Sequence, residues 1–324
     1  MPRPARQNAG VIGLGIIGSR VAANLRKAGY QTWVWNRTPR PEPNFLSSAA
    51  EVAESARVIQ IFVSDGPALV ETIEAMTPAL GSEHIILNHA TIAPKETLEA
   101  ARLVAARNAN YLDAPFTGSR DAAEAGQIVF YIGGEIGVLE RVRPHLEVNA
   151  KAILQIGEVG QAAAIKIATN LMAAVAVGSF AEAMCLLAKS GIPLYKLGEA
   201  LEHHALQSPL VNLKMPPMIT ADFEPRFSLR HMFKDVQIAL SMAEEFGVEL
   251  PETAAFAGTA MAGIQKGWAD LDFSSIARHY GFSHEDNVLP DTVFASAKAK
   301  SGENGVGAAE KEKKKGFLFF GRRS

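Results

Sequence analysis

A glycine-rich turn near the beginning of the chain constrains the fold more than any other sequence feature. Gly13, Gly15 and Gly18 follow a short apolar run and precede residues 19–27, whose apolar positions recur at helical spacing. In such a strand-turn-helix unit the first glycine permits the tight turn, the second lets the backbone approach a pyrophosphate, and the third lets the helix pack close to the strand. The pattern therefore predicts a dinucleotide-binding turn. The intervening residues that complete this predicted site are Leu14, Ile16 and Ile17.

The residues after the second predicted strand distinguish between two nicotinamide cofactors. Sites for NAD usually carry Asp or Glu there, which accepts a hydrogen bond from the ribose 2′-hydroxyl. This chain has Asn36-Arg37-Thr38 instead. Asn36 does not repel a 2′-phosphate, Arg37 can pair with it and Thr38 can donate to it, so we expect NADP(H) to be preferred over NAD(H). The alternative is that Arg37 is a solvated surface residue and that the site accepts either cofactor.

Predicted strands and helices alternate through the first half of the chain. The first segment, 11–15, begins as a strand and enters the glycine turn. The other strands are 31–35, 58–63, 85–88, 111–113, 128–132 and 152–155, and the helices between them are 19–27, 68–76, 94–107 and 138–146. Only helical patterns follow, at 161–189, 194–203, 209–215, 229–246 and 251–266. We expect an α/β protein with a Rossmann-type doubly wound parallel sheet, then an all-α C-terminal domain joined to it by the long helix 161–189.

These patterns divide the chain into three parts. Residues 1–157 are the predicted NADP-binding domain and 158–284 a helical domain for substrate binding and oligomerisation. Residues 285–324 contain a polar stretch and a charge run, and we expect this tail not to fold by itself because it can bury little apolar surface. Its apolar and basic end, 316–324, either docks on a membrane or partner or has no role.

Composition excludes several classes of function. The chain has 32 Lys and Arg against 34 Asp and Glu, so no overall charge favours nucleic acid. One cysteine rules out an internal disulfide and a cysteine metal cluster, and no histidine spacing suggests a metal site. We expect a cytoplasmic protein without an integral membrane segment. The apolar stretch 165–187 is better interpreted as a buried helix, since Lys166, Asn170 and Glu182 interrupt it.

Lys166 and Asn170 are the chemical candidates in the second half. They are four residues apart and therefore share one face of the long helix, which is otherwise apolar. Burying a lysine is costly, so a lysine at such a position suggests a function. Its side chain can also extend to solvent. The spacing alone leaves both interpretations open.

Four sequence blocks together resemble the β-hydroxyacid dehydrogenase family, which includes 3-hydroxyisobutyrate dehydrogenase and tartronate semialdehyde reductase. They are the glycine turn 11–18, the loop 113–119, the segment 157–170 and the pair Lys234-Asp235. Their order and spacing match the family from about residue 10 to residue 284. Within the family, the chain looks most like the glyoxylate/succinic semialdehyde reductases.

The resemblance implies roles for individual residues. Lys166 would be the general acid, Asn170 would hold the substrate, and Asp235 would face the active site and set the charge of Lys166. The other residues implied to contact substrate are Thr117, Gly118, Ser119 and Phe227. The further residues implied to contact the cofactor are Val63, Ser64, Asp65, Thr91 and Lys234.

The departures from the family pattern bear on which substrate is bound more than on which reaction is catalysed. Thr117 stands where serine is more common, Ser119 replaces a glycine of many members, and the segment 88–91 lacks the usual acidic and serine residues. We therefore expect an NADP-dependent reductase of a small, carboxylate-bearing semialdehyde or glyoxylate, acting as a homo-dimer or homo-tetramer. The alternatives are a non-catalytic cofactor-binding or scaffold protein, and an imine reductase, although imine reductases usually replace the lysine.

Overall fold

The computed structural model describes residues 8–281, 290, 293 and 294. Contacts divide the chain into two compact units. The first comprises the chain up to Met172 together with His231–Ala257, and the second comprises Ala173–Arg230 and the chain from Gly258 onward. The predicted tail, 285–324, lies almost entirely outside the described residues.

The first unit is built on one eight-stranded sheet. Its strands are β1 (Asn8–Ile12), β2 (Gln31–Trp35), β3 (Val58–Ile61), β4 (Ile85–Asn88), β5 (Asn110–Asp113), β6 (Phe116–Thr117), β7 (Ile128–Gly133) and β8 (Ala150–Gly157). The strand order is β2-β1-β3-β4-β5-β7-β6, with β8 beside β7. The first five strands are parallel, which confirms the Rossmann-type sheet.

The expectation of a wholly parallel sheet is corrected at one edge. Strand β7 runs antiparallel to β5 and β6, and β8 is parallel to β7. The segment between β5 and β7 contains only the two-residue β6 and the five-residue helix α5 (Arg120–Glu124). A parallel crossover usually needs a longer covering helix, whereas antiparallel strands need none, so the chain returns in the opposite direction.

Helices cover both faces of this sheet. They are α1 (Gly18–Lys27), α2 (Ala49–Ser55), α3 (Gly66–Met76), α4 (Pro94–Ala105) and α6 (Ile136–Glu147). Neighbouring strand residues point to opposite faces, so Val11 lies in the core layer that includes α1 and α6, and Ile12 in the layer that includes α2, α3 and α4. The sequence patterns missed α2, α5 and β6, because two of these are very short and α2 has a weak apolar period.

The glycine turn closes β1 against α1. Gly13 has φ +90°, and a Cβ atom there would lie 1.9 Å from the carbonyl oxygen of Phe62. A Cβ at Gly18 would lie 2.0 Å from the carbonyl oxygen of Gly13, whereas a Cβ at Gly15 would meet no protein atom within 4 Å. The fold itself therefore requires the first and third glycines but places no such demand on Gly15.

The remaining helices are α7 (Gln161–Lys189), α8 (Tyr195–Glu202), α9 (Pro209–Thr220), α10 (Leu229–Phe246) and α11 (Pro251–Gln265), followed by a short 3-10 helix, Phe273–Tyr280. Helix α7 continues from the first unit into the second. Within the second unit, the buried Lys214 ammonium contacts both carboxylate oxygens of Asp272, at 2.7 and 2.8 Å. Asp272 also accepts from the backbone of Arg226 and Phe227 and caps the 3-10 helix.

Helix α7 is buried along one stripe rather than all round. The buried stripe comprises Ala163, Ile167, Asn170, Ala174, Val177, Ala181 and Met184, which alternate steps of four and three residues, and Ala162 in the first turn is buried as well. Ile165, Met172 and Leu186 are exposed. By length and composition alone this helix would also be able to cross a membrane, a property that core helices of globular proteins share. The expectation of a buried helix is therefore right for one face only.

Matched alanine variants test the different demands on the glycines. Gly18→Ala should lower the melting temperature, because its methyl group cannot fit beside the Gly13 carbonyl. Overpacking of this kind costs about 1–3 kcal/mol, and each kcal/mol lowers Tm by roughly 2–4 °C in a chain of this size range. Gly15→Ala should leave Tm unchanged in thermal unfolding of the ligand-free protein. Equal losses in the two variants would contradict this account.

Candidate active site

Three predicted residues meet in the first unit. Asn170, on α7, donates from its amide nitrogen to a carboxylate oxygen of Asp235, on α10, at 2.6 Å. Both side chains are buried, and Lys166 precedes Asn170 by one helical turn and is partly buried. The structure therefore brings the predicted general acid, the predicted substrate-holding amide and their predicted acidic partner to one place.

The charge of Lys166 is tuned by burial and by two neighbours. Burial lowers the pKa of its ammonium from the ordinary 10.5 to about 8, the Asp235 carboxylate opposes this fall, and the Lys234 ammonium adds to it. A group with such a pKa is mostly protonated at neutral pH yet releases its proton more readily than an exposed lysine. This matches the requirement for a general acid, whose pKa should lie near the working pH.

Lys234 connects the same carboxylate to the sheet. Its ammonium lies 2.8 Å from an oxygen of Asp235 and also donates to the backbone carbonyl of Thr91. Thr91 lies in the link between β4 and α4. The two interactions tie α10 to the carboxyl end of β4, where the sequence predicted cofactor contacts.

All of the predicted cofactor residues outside α10 follow the carboxyl ends of parallel strands. The glycine turn follows β1, residues 36–38 follow β2, 63–65 follow β3 and Thr91 follows β4. Ligands of open α/β sheets bind at this edge. The sheet therefore gathers residues that are far apart in the sequence along one rim of the first unit.

The turn after β1 fits a dinucleotide phosphate. A Cβ at Gly15 would point into open space, although nothing in the fold requires glycine there. Helix α1 has no side-chain cap and no acidic residue in its first turn, so no carboxylate of its own competes with an anion at this helix end. Both features suit an anionic group held against the backbone at a helix N-terminus.

Asn36 has a structural task within this rim. Its amide oxygen accepts from the backbone N–H of Leu14 at 2.8 Å, and its amide nitrogen donates to the carbonyl of Thr38 at 2.7 Å. It thus fastens the glycine turn to the segment carrying Arg37. Arg37 and Thr38 are exposed.

Asp65 caps α3 by accepting from the backbone N–H of Ala68 at 2.9 Å. A hydrogen bond from Ser64 lowers the pKa of its carboxyl below the ordinary value, and the cations Lys234 and Arg37 lower it further. Val63 is half-buried and Ser64 is exposed. The predicted contact of these residues with a cofactor ribose stays a prediction.

The predicted substrate loop begins at β6. Thr117 and Gly118 are exposed, and the Ser119 hydroxyl accepts from the backbone N–H of Ala122 and so caps α5. Phe227 belongs to the second unit, where its ring packs edge-on against Phe273. The substrate contacts of all four predicted residues stay predictions.

Two buried polar residues beside this rim were not assigned a role from the sequence. His89 contacts the carbonyl of Ala114 at 2.7 Å and the side-chain amide of Gln60 at 3.1 Å, and its ring stacks on Phe62. Burial lowers the pKa of His89 to about 4, so the ring is neutral and structural. The second residue is Asp113, at the end of β5. A polar residue ending a buried strand is the sequence signal that both share.

Charge substitutions test the environment of Lys166. Asp235→Asn should lower the pKa of Lys166 further, because the opposing carboxylate is lost, and Lys234→Met should raise it, because a neighbouring cation is lost. Competitive labelling of lysines across a pH series measures the pKa directly. Lys151→Met, an exposed charge removed from β8, should leave it unchanged. Shifts of the opposite sign would show that these groups do not act on Lys166.

Two family models match the chain. Residues 8–157 match the family model described as the NAD binding domain of 6-phosphogluconate dehydrogenase. Residues 160–280 match the model described as the NAD-binding of NADP-dependent 3-hydroxyisobutyrate dehydrogenase. The two models together span most of the chain.

Two of the relatives are similar over most of their length, and a third is matched over less than half of its own length. Glyoxylate/succinic semialdehyde reductase 2, chloroplastic, of Arabidopsis thaliana is 30% identical over 277 residues, covering 82% of this chain and 77% of that protein. The 2-hydroxy-3-oxopropionate reductase of Escherichia coli K12 is 30% identical over 278 residues, covering 83% and 95%. A Drosophila melanogaster protein named cytokine-like nuclear factor N-PAC is 28% identical over 262 residues, covering 78% of this chain and 44% of that protein.

A solved structure shares the fold. The Mycobacterium tuberculosis 3-hydroxyisobutyrate dehydrogenase, determined with L-serine, superposes with a TM-score of 0.77 at 26% identity, covering 86% of this chain and all of that one. Its fold agrees with that of this chain. The chain belongs to the β-hydroxyacid dehydrogenase family of NAD(P)-binding oxidoreductases.

Proposed function

We propose that the protein is an NADP(H)-dependent reductase that converts a small, carboxylate-bearing aldehyde, such as glyoxylate or a semialdehyde, into the hydroxy acid. The observation that carries this proposal is Lys166, a desolvated lysine with a pKa of about 8 beside the buried Asn170–Asp235 pair. The names of the two reductases described above support the substrate class.

Reduction of an aldehyde adds a hydride to the carbonyl carbon and a proton to the oxygen. Bound NADPH supplies the hydride. The Lys166 ammonium lies on the substrate side, where it stabilises the negative charge that develops on oxygen and then transfers its proton there. The neutral amine then regains a proton from solvent. The Asp235 carboxylate favours the ammonium form of Lys166 between turnovers.

The rim of the sheet holds the cofactor in this proposal. The glycine turn and the start of α1 bind the pyrophosphate, while Arg37 and Thr38 bind the ribose 2′-phosphate. Asn36 keeps these two parts in register through its two hydrogen bonds. Residues 63–65, Thr91 and Lys234 contact the nicotinamide half.

The substrate carboxylate binds on the loop after β6. Thr117 offers a hydroxyl, and Gly118 and Ser119 offer backbone N–H groups, which form a small anion-binding concavity in such turns. The Asn170 amide, which is oriented by its hydrogen bond to Asp235, binds the hydroxyl or the carboxylate of the substrate.

Oligomerisation is part of the same proposal. Ile165, Met172 and Leu186 are large apolar side chains exposed on α7, and Met172 and Leu186 are more than two-thirds exposed. Such surface favours contact with another copy of the chain, in a homo-dimer or homo-tetramer. A cytoplasmic location stays a prediction, and the name of one relative assigns that protein to the chloroplast.

The second candidate function is a non-catalytic cofactor-binding or scaffold protein. The resemblance to a nuclear factor favours it. The presence of Lys166 and its tuned environment favours the reductase, and it also argues against an imine reductase. Substitution of the lysine separates these possibilities.

A substrate screen with a lysine variant tests the activity. Purified protein should oxidise NADPH with glyoxylate, succinic semialdehyde, methylmalonate semialdehyde or tartronate semialdehyde. Lys166→Met should lower kcat by about 10²- to 10⁴-fold, the usual contribution of a general acid, without weakening NADPH binding measured by fluorescence titration. Unchanged turnover in this variant would refute the role of the lysine. Gly15→Ala, in contrast to Lys166→Met, should weaken NADPH binding, although the protein remains folded.

Cofactor preference depends on Arg37. Arg37→Ala should raise KM for NADPH by about 10-fold or more, since a charge-assisted pair contributes roughly 1.5–3 kcal/mol, and should change KM for NADH little. Arg141→Ala, which removes an exposed arginine from α6, is the control for the loss of positive charge. A parallel loss for both cofactors would show that Arg37 does not recognise the 2′-phosphate.

A further inference from the structure

Asp113 caps the helix that carries Lys166. Its side chain is fully buried at the end of β5, and one carboxylate oxygen accepts from the backbone N–H of Gly160 at 3.2 Å and of Ala163 at 2.9 Å. These N–H groups belong to the start of α7, which begins at Gln161. A residue from the sheet thus takes the position that a local N-cap side chain usually fills.

The second carboxylate oxygen of Asp113 is buried, and polar side chains lie near this residue. Asp113 and Asn88 are partners in the register of β5 and β4, and Tyr111 lies close enough to Asp113, Asn88 and Thr97 for all three to affect the pKa of its hydroxyl. Within residues 8–281, this oxygen, the Asn88 amide nitrogen and the hydroxyls of Tyr111 and Thr97 are buried without a hydrogen bond of good geometry. The stabilisation of the carboxylate therefore comes mainly from α7.

The residues around Asp113 place little charge next to its carboxylate. Asn88 and Thr97 do not ionise, and burial together with the charge of Asp113 raises the pKa of Tyr111 well above 10, so its hydroxyl is neutral. Glu158, in the loop before α7, is exposed to solvent. Burial raises the pKa of Asp113 from 3.8 to about 7, against the opposing effect of the two N–H groups.

We propose that Asp113 is a positioning residue whose ionised carboxylate fixes the first turn of α7 and thereby the orientation of Lys166 in the reductase reaction. The ionised form accepts two charge-assisted hydrogen bonds at a helix N-terminus, where negative charge is favourable. The protonated form accepts weaker bonds, so the first turn loosens. Lys166 lies three residues after Ala163, and small displacements of a proton donor reduce its rate strongly. The effect on turnover rests on the proposed function, but the effect on α7 does not.

The pH profile of reduction has an expected form. The rate should rise as the pH passes about 7, where Asp113 ionises, and fall above about 8, where Lys166 loses its proton. In Asp113→Asn the acidic limb should disappear, kcat above about pH 7 should fall to the low level that the wild type shows at acidic pH, and KM for NADPH should stay unchanged. The alkaline limb should remain because Lys166 is intact. Persistence of the acidic limb in this variant would overturn the proposal.

A matched control removes a different carboxylate at the same helix end. Glu158→Gln neutralises an exposed side chain that precedes α7 by three residues. It should keep both limbs and the parental kcat. If it reproduces the effect of Asp113→Asn, general charge at the helix end is responsible and the specific cap is excluded.

Hydrogen exchange of the wild-type protein tests the cap without any substrate. After correction for intrinsic rates, the amides of Gly160 and Ala163 should be about fivefold to tenfold less protected near pH 6 than near pH 8, because their acceptor is protonated. Protection that does not change with pH would overturn the proposal even if the protein folds and reduces semialdehydes. A pH-dependent protection in a protein without reductase activity would retain the cap and refute only the proposed function.

Discussion

The hydrogen bond from Asn170 to Asp235 is the interaction on which the arrangement of the site depends. It brings α7 and α10 together in the first unit, and Lys234 extends the link to the Thr91 carbonyl beyond β4. A carboxylate as deeply buried as Asp235 is costly unless it is paired and hydrogen-bonded. Here an amide, an ion pair and the field of a second lysine share that task, so replacing any one of them leaves a buried charge with fewer partners.

Burial acts on three ionisable residues of this unit with different results. It lowers the pKa of Lys166 to about 8 and that of His89 to about 4, and it raises that of Asp113 to about 7. Burial in each case disfavours the charged form, and the neighbours decide how far the shift goes. His89 is left neutral, whereas Lys166 and Asp113 titrate close to physiological pH. The same physical effect therefore yields one structural residue and two that respond to pH.

Local patterns were sufficient for much of the fold. The glycine spacing and the alternation of apolar segments predicted the parallel strands β1 to β5 and the long helix α7, and the structure confirms them. The strand β7 was predicted but its antiparallel direction was missed, and the short α2 and α5 were missed altogether. Strand direction depends on which neighbour a strand meets in the sheet, and short helices carry too few apolar residues to show a period.

The sequence by itself determined that Gly13, Gly15 and Gly18 form a turn between strand and helix, and that Lys166 and Asn170 share a helical face, because both follow from spacing along one element. The family resemblance implied that Asp235 faces Lys166, but only the tertiary structure decided that Asp235 accepts from Asn170 and pairs with Lys234, and that Asp113 caps α7 from the sheet. These contacts connect elements about fifty or more residues apart, as between Asp113 and Ala163. Burial and charge at such sites arise from packing between elements, and the spacing of residues along a single helix or strand does not predict that packing.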